Sequence, residues 1–119
     1  MKKILYVDDA NSMRKLVKLV LDNEFDITLA ENGQQGYEAI QNNTFDVIIS
    51  DVNMPIMNGL EFLEKLRAYP SSKFTPVLML TTEASDELKA EGKRLGATGW
   101  IVKPFDPEKL PGLIQRVMN

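Results

Sequence analysis

The fold is decided by the stretch Phe45-Asp46-Val47-Ile48-Ile49-Ser50-Asp51-Val52-Asn53-Met54-Pro55. Its apolar run, Val47 to Ile49, is continuous and does not alternate, which is typical of a central strand buried on both faces. We expect this strand to end at Asp51, so that the carboxylate faces the crevice where open α/β sheets bind ligands. Because Asp at a strand end also commonly caps the next turn, the stretch alone leaves both interpretations open.

Composition narrows the possible functions. The 119 residues, 44% of them hydrophobic, fit one domain over 1–119 with a single core. The absence of cysteine excludes thiolate chemistry and agrees with a cytoplasmic location. The absence of histidine leaves oxygen ligands for any metal, with Mg²⁺ as the leading candidate. A net charge of −3 argues against a nucleic-acid partner, and no segment is long enough to span a membrane.

Strand and helix patterns alternate five times along the chain. Buried strands are predicted at 4–7 and 47–51, further strands at 76–80 and 100–102, and a more exposed edge strand at 25–29. Helix starts are predicted at Asn11 or Ser12, Asn32-Gly33, Asn58-Gly59, Ser85 and Asp106-Pro107. The fourth helix has the thinnest apolar stripe and contains Gly92, so we expect it to be held loosely. The pattern predicts a doubly wound parallel sheet.

Right-handed crossovers bring the ends of parallel strands to one edge of the sheet, where the chain supplies Asp8, Asp9, Asp51, Thr81 and Lys103. Clustered carboxylates repel one another, so we expect a cation among them, and Mg²⁺ would take carboxylates, a backbone carbonyl and waters. Asp51 keeps an oxygen that can attack phosphorus and form an aspartyl phosphate. The Lys103 ammonium and the Thr81 hydroxyl could then bind phosphoryl oxygens.

Each of these residues also has an ordinary interpretation. Thr at a strand end is usually a turn residue, and Lys before Pro is usually solvated. Their joint occurrence at the ends of strands one, three, four and five favours chemistry.

The same residues resemble a known family. Asp8-Asp9, the segment from Asp51 to Gly59, Thr81 and Lys103-Pro104-Phe105 are similar to the receiver domain of two-component response regulators. The resemblance covers nearly the whole chain and implies the flavodoxin-like, CheY-like fold with strand order 2-1-3-4-5 and five helices. Because nothing follows the fifth helix, the chain resembles a stand-alone receiver without an effector domain.

The resemblance also implies roles for individual residues. Asp51 would accept the phosphoryl group, and Thr81 and Lys103 would hold it. Asp9, Asp51 and the Asn53 carbonyl would bind Mg²⁺, with Asp8 helping through water. Lys103-Pro104 would be a cis peptide. A histidine kinase would be the phosphodonor, which agrees with the lack of histidine in this chain.

For signalling output, the resemblance implies a monomeric switch that catalyses only its own phosphorylation and autodephosphorylation. Its fourth helix, fifth strand and fifth helix would bind a target, with chemotaxis and the flagellar motor switch as the expected setting. Trp100 stands where the family usually carries a switching Tyr or Phe, and Thr82 is bulkier than usual. Asn53 and Glu83 match the pair of fast-cycling chemotaxis receivers, for which a phosphatase is a further partner.

Other functions stay open at the level of sequence. A phosphorelay shuttle or a phosphate sink would use the same site. A magnesium-dependent phosphohydrolase would also use an aspartyl nucleophile, but that class usually has an acid two residues later, where this chain has Asn53. A silent scaffold would not need the acid set, Thr81 and Lys103.

Overall fold

The predicted parallel sheet is present in the computed structural model, which describes residues 1–83 and 85–118. Its strands are β1 (Lys2–Val7), β2 (Phe25–Ala30), β3 (Val47–Asp51), β4 (Val77–Thr81) and β5 (Gly99–Val102). They pair in parallel in the order β2-β1-β3-β4-β5, which confirms the flavodoxin-like, CheY-like order. β3 is buried along its whole length and ends at Asp51, as its continuous apolar run predicts.

A helix follows each strand. The helices are α1 (Asn11–Leu21), α2 (Gly33–Asn42), α3 (Gly59–Ala68), α4 (Asp86–Leu95) and α5 (Leu110–Met118). Two 3₁₀ turns, at Pro70–Ser72 and Pro107–Lys109, precede β4 and α5. None of the helices within 1–83 and 85–118 has the length and apolar character needed to cross a membrane.

The helices cover both faces of the sheet, so the core is divided into two clusters. α1 and α5 pack on one face through residues such as Val17, Leu21 and Ile114. α2 and α3 pack on the other through Ile40 and Phe62, with α4 at the margin of the same cluster. Gly92 is the only buried residue of α4, which confirms the thin apolar stripe predicted for this helix.

Several predicted boundaries need correction: β1 begins at Lys2, β2 extends to Ala30 and β5 begins at Gly99. α1 starts at Asn11 and its N-cap is Ala10, which makes no side-chain cap, so neither Asn11 nor Ser12 caps it. Asp106 caps the 3₁₀ turn at Pro107–Lys109, and α5 follows only afterwards. β4 begins at Val77, because Pro76 has no N–H to donate within the sheet. The predicted cis peptide at Lys103-Pro104 is present.

Candidate functional site

The sheet brings the strand-end residues singled out by the sequence to one edge. Asp8 and Asp9 follow β1, Asp51 ends β3, and Thr81 ends β4. Asp51 is in register with Leu80, the residue before Thr81. The Lys103 N–H donates to the Thr81 carbonyl at 2.7 Å, which places Lys103 just beyond the end of β5. These residues therefore lie on neighbouring strands at the carboxyl edge of the sheet.

Three carboxylates meet at this edge. Each of Asp8, Asp9 and Asp51 offers one oxygen, and these oxygens lie within 4.8 Å of one another. Asp8 and Asp51 are 0% and 6% exposed, whereas Asp9 is open to solvent. Only oxygen donors are present and one carboxylate faces water, which fits a hard cation that keeps part of its water shell. Asn53 is exposed in the loop two residues after Asp51.

Lys103 supplies positive charge to the same cluster. Its Nζ lies 2.8 Å from Asp51 Oδ2 and 3.5 Å from Asp8 Oδ2. The other Asp51 oxygen, Oδ1, accepts the Val52 N–H at 2.9 Å. Like-charge repulsion among the acids is thus reduced by a side chain of the protein itself. Lys103 therefore does part of what the sequence assigns to a bound cation alone.

The ionisable groups of the site are perturbed by burial and by one another. Burial raises the pKa of the Asp51 carboxyl, and the hydrogen bond from Lys103 opposes this only in part. Burial alone would lower the pKa of Lys103. The hydrogen bond to Asp51 and the negative charges of Asp51 and Asp8 outweigh burial, so the pKa of Lys103 is raised. The ammonium therefore stays charged beside a carboxylate that is costly to bury, an arrangement often found at functional sites.

Asp8 is held by two residues that the sequence analysis did not select. The Tyr6 hydroxyl donates to Asp8 Oδ2 at 2.6 Å, and Arg14 Nη1 donates to the Asp8 carbonyl at 2.8 Å. Burial and the bond to Asp8 raise the pKa of the Tyr6 phenol above its ordinary value. The spacing of Tyr6 and Asp8 offered a signal, because residues two apart in a strand project from the same face.

The Thr81 hydroxyl is engaged within its own loop. It donates to the Glu83 carbonyl at 2.9 Å and accepts the Glu83 N–H at 3.0 Å. Thr81 is buried, whereas Thr82 and Glu83 are exposed. To donate to a phosphoryl oxygen, the hydroxyl would have to give up its bond to the Glu83 carbonyl.

Trp100 lies on the face of β5 that meets α4. It is half-buried and packs against the core cluster of α2 and α3. A Cβ atom placed on Gly92 would collide with Trp100 Cζ2, so the indole lies directly on the α4 backbone. The predicted switching aromatic is thus in contact with the helix that has the fewest buried side chains.

Comparison with known proteins identifies the family. Residues 4–115 match the family model of the response regulator receiver domain, and the chain belongs to this family. Receiver domains are signalling domains that take phosphoryl groups from histidine kinases and bind Mg²⁺ at an acidic pocket.

Individual relatives agree with this assignment. The structure is similar to the chemotaxis protein CheY4 of Vibrio cholerae, with a TM-score of 0.94 and 52% identity over 98% of both chains. It is also similar to the receiver domain of response regulator 1452 of Francisella, with a TM-score of 0.90 and 29% identity over 99% and 97% of the two chains. The transcriptional regulatory protein SrrA of Staphylococcus aureus is 39% identical over 91% of this chain. The chain spans 44% of the length of that curated relative.

Proposed function

We propose that Asp51 is the phosphoacceptor of a signalling switch whose phosphodonor is a histidine kinase. The observation that carries this proposal is the position of Asp51 at the end of β3, inside the acid cluster and 2.8 Å from the Lys103 ammonium. An Asp51 carboxylate oxygen forms a bond to phosphorus while the bond from phosphorus to the donor's imidazole nitrogen breaks, and the bonding electron pair leaves with that nitrogen.

The other site residues have supporting roles in this proposal. Asp9, Asp51 and the Asn53 carbonyl would hold Mg²⁺, with Asp8 acting through water. Bound Mg²⁺ offsets negative charge on the transferring phosphoryl group. Lys103 places an ammonium on one phosphoryl oxygen, and the Thr81 hydroxyl donates to another after leaving the Glu83 carbonyl.

Phosphotransfer is tested with acetyl phosphate and intact-mass analysis. The wild-type protein is expected to gain one phosphoryl group in the presence of Mg²⁺ and none in excess chelator. Asp51→Asn should gain none, whereas Asp26→Asn, which removes an exposed carboxylate on β2, should behave as the wild type. An adduct that persists in Asp51→Asn would overturn the assignment of Asp51.

For output, we propose a chemotaxis role in which α4, β5 and α5 form the target-binding face. The similarity to CheY4 over nearly the full length of both chains supports this setting, and the packing of Trp100 on α4 supports the face. A pull-down with a flagellar motor-switch protein, with and without phosphorylation, tests it. Capture that does not depend on phosphorylation would favour a shuttle or sink role. The cytoplasmic location stays a prediction.

A further inference from the structure

Tyr6 places a hydroxyl group next to the acid cluster from within the core. Its side chain is 0% exposed and belongs to the apolar cluster under α1 and α5. Because side chains two apart in a strand share a face, the Tyr6 ring lies on the same side of β1 as Asp8. Its hydroxyl donates to Asp8 Oδ2 at 2.6 Å, the shortest of the bonds that Asp8 accepts within the described chain.

Asp8 needs donors because it is completely buried. A buried carboxylate is costly unless it is paired and hydrogen-bonded. Its Oδ1 accepts the Ala10 N–H at 3.0 Å, and its Oδ2 faces both the Tyr6 hydroxyl and Lys103 Nζ, the latter at 3.5 Å. Tyr6 is therefore the close neutral donor to the oxygen that Lys103 would otherwise satisfy.

The position of Lys103 agrees with an arrangement in which Tyr6 donates to Asp8 and Lys103 pairs with Asp51. Lys103 Nζ is 2.8 Å from Asp51 Oδ2 and 3.5 Å from Asp8 Oδ2, so its shorter contact is with the proposed phosphoacceptor. If Tyr6 did not satisfy Asp8, the buried Asp8 carboxylate would compete with Asp51 for the ammonium. The Asp8 carboxylate would also lose one of the hydrogen bonds that hold it toward Asp9 and Asp51.

We infer that Tyr6 is a positioning residue of the metal and phosphoryl site, acting through Asp8. Its hydroxyl fixes the Asp8 carboxylate beside the other acids, so that Lys103 can pair with Asp51. The inference rests on the proposed function, in which Asp9 and Asp51 hold Mg²⁺ and Asp8 acts on it through water. Hydrogen bonds from outer residues to groups at a metal site typically change metal affinity by about 10- to 100-fold.

The test measures Mg²⁺ binding without phosphotransfer. The melting temperature is recorded over a series of Mg²⁺ concentrations, because a ligand that binds only the folded state stabilises it by an amount set by the ratio of its concentration to its Kd. Tyr6→Phe removes only the hydroxyl, and we expect it to need about tenfold more Mg²⁺ for the same stabilisation. Tyr37→Phe is the matched control, since its ring lies on the other face of the sheet, 6.1 Å from that of Tyr69. An unchanged Mg²⁺ dependence in Tyr6→Phe would overturn the inference.

A double-mutant cycle separates positioning from general packing. If Tyr6 acts through Asp8, adding Tyr6→Phe to Asp8→Asn should cause no further change in Mg²⁺ affinity. An equal loss in both backgrounds would show that the hydroxyl acts elsewhere. Should Tyr6→Phe alone fold poorly, the double variant and Asp8→Asn are compared directly, because both lack the buried charge.

Failure of the proposed function is distinguishable in the same experiment. Asp9→Ala, which removes the exposed acid of the cluster, should lose the stabilisation by Mg²⁺. A wild-type protein that Mg²⁺ does not stabilise would overturn the metal site and the inference together. A stabilised wild type with an indistinguishable Tyr6→Phe would overturn the inference alone.

Discussion

Ile56 has a backbone conformation that its side chain disfavours. Its φ is 71°, and it is the one non-glycine residue with a positive φ in residues 1–83 and 85–118. The Met57 N–H donates to the Pro55 carbonyl at 2.8 Å, which closes a three-residue γ-turn around Ile56. The Met57 carbonyl in turn accepts the Gly33 N–H at 3.0 Å, tying the turn to the start of α2. Ile56 is 81% exposed, so little burial offsets this strain.

We expect Ile56→Asn to stabilise the protein. Asn tolerates a positive φ better than a β-branched residue, and the free energy of unfolding should rise by about 1 kcal/mol. Urea unfolding without Mg²⁺ measures the change. Phe74→Asn, at a residue that is 87% exposed with a negative φ, controls for loss of exposed apolar surface and should stay within about 0.5 kcal/mol. A destabilised Ile56→Asn would show that the turn needs isoleucine.

At the scale of elements, the contact between α4 and β5 explains a glycine inside a helix. Glycine in a helix interior costs about 1 kcal/mol relative to alanine, and from sequence Gly92 only weakens α4. In the structure the Trp100 indole occupies the space where a Cβ would lie. The small residue and the large one therefore form a complementary pair between α4 and β5.

Gly92→Ala is expected to gain no helix stability and to displace the indole, because the added methyl group collides with Trp100. Trp100 is the only tryptophan in the chain, so emission and quencher access report the displacement directly. Gly112→Ala in α5 is the matched control, since a Cβ there meets nothing within 4 Å. It should raise the free energy of unfolding by about 1 kcal/mol and leave the emission unchanged. Equal gains in both variants would contradict the pairing.

At the scale of the whole molecule, the acid site and Trp100 are linked through β4 and β5. Thr81 is in register with Val102, and Met79 is in register with Trp100. The far end of α4 is fixed by Arg67 of α3, whose Nε and Nη2 donate to the Gly96 carbonyl at 3.0 and 2.8 Å. A pull on Thr81 should therefore repack the beginning of α4 and leave its end in place.

Activation should accordingly change the environment of Trp100. Beryllofluoride with Mg²⁺, which mimics a phosphoryl group on a carboxylate, is expected to alter its emission and quencher access. Thr81→Ala should reduce this change while phosphorylation at Asp51 persists, because the hydrogen bond present only in the activated state is lost. Asp51→Asn should show no response to beryllofluoride. If the wild-type emission is unaffected, Trp100 is a static core residue and the switch lies on another side chain.

Local sequence patterns determined the elements and the edge where the site lies. Apolar periodicity and turn residues are short-range signals, so the continuous run before Asp51 and the acids after β1 predicted buried strands ending in carboxylates. The strand order came from the resemblance to receiver domains, because local periodicity does not encode which strands are neighbours. The two misplaced caps, at α1 and at Asp106, are errors of a few residues at element ends.

Tertiary structure alone decided how the site is arranged. Asp8 and Asp9 are adjacent acids in the sequence, yet only Asp8 is buried, because Tyr6, Arg14 and Lys103 surround it. The pairing of Lys103 with Asp51 joins residues 52 positions apart. The positive φ of Ile56 and the fit of Trp100 on Gly92 likewise depend on neighbouring segments. Such contacts join distant parts of the chain, so their energies exist only once the sheet has brought the strand ends together.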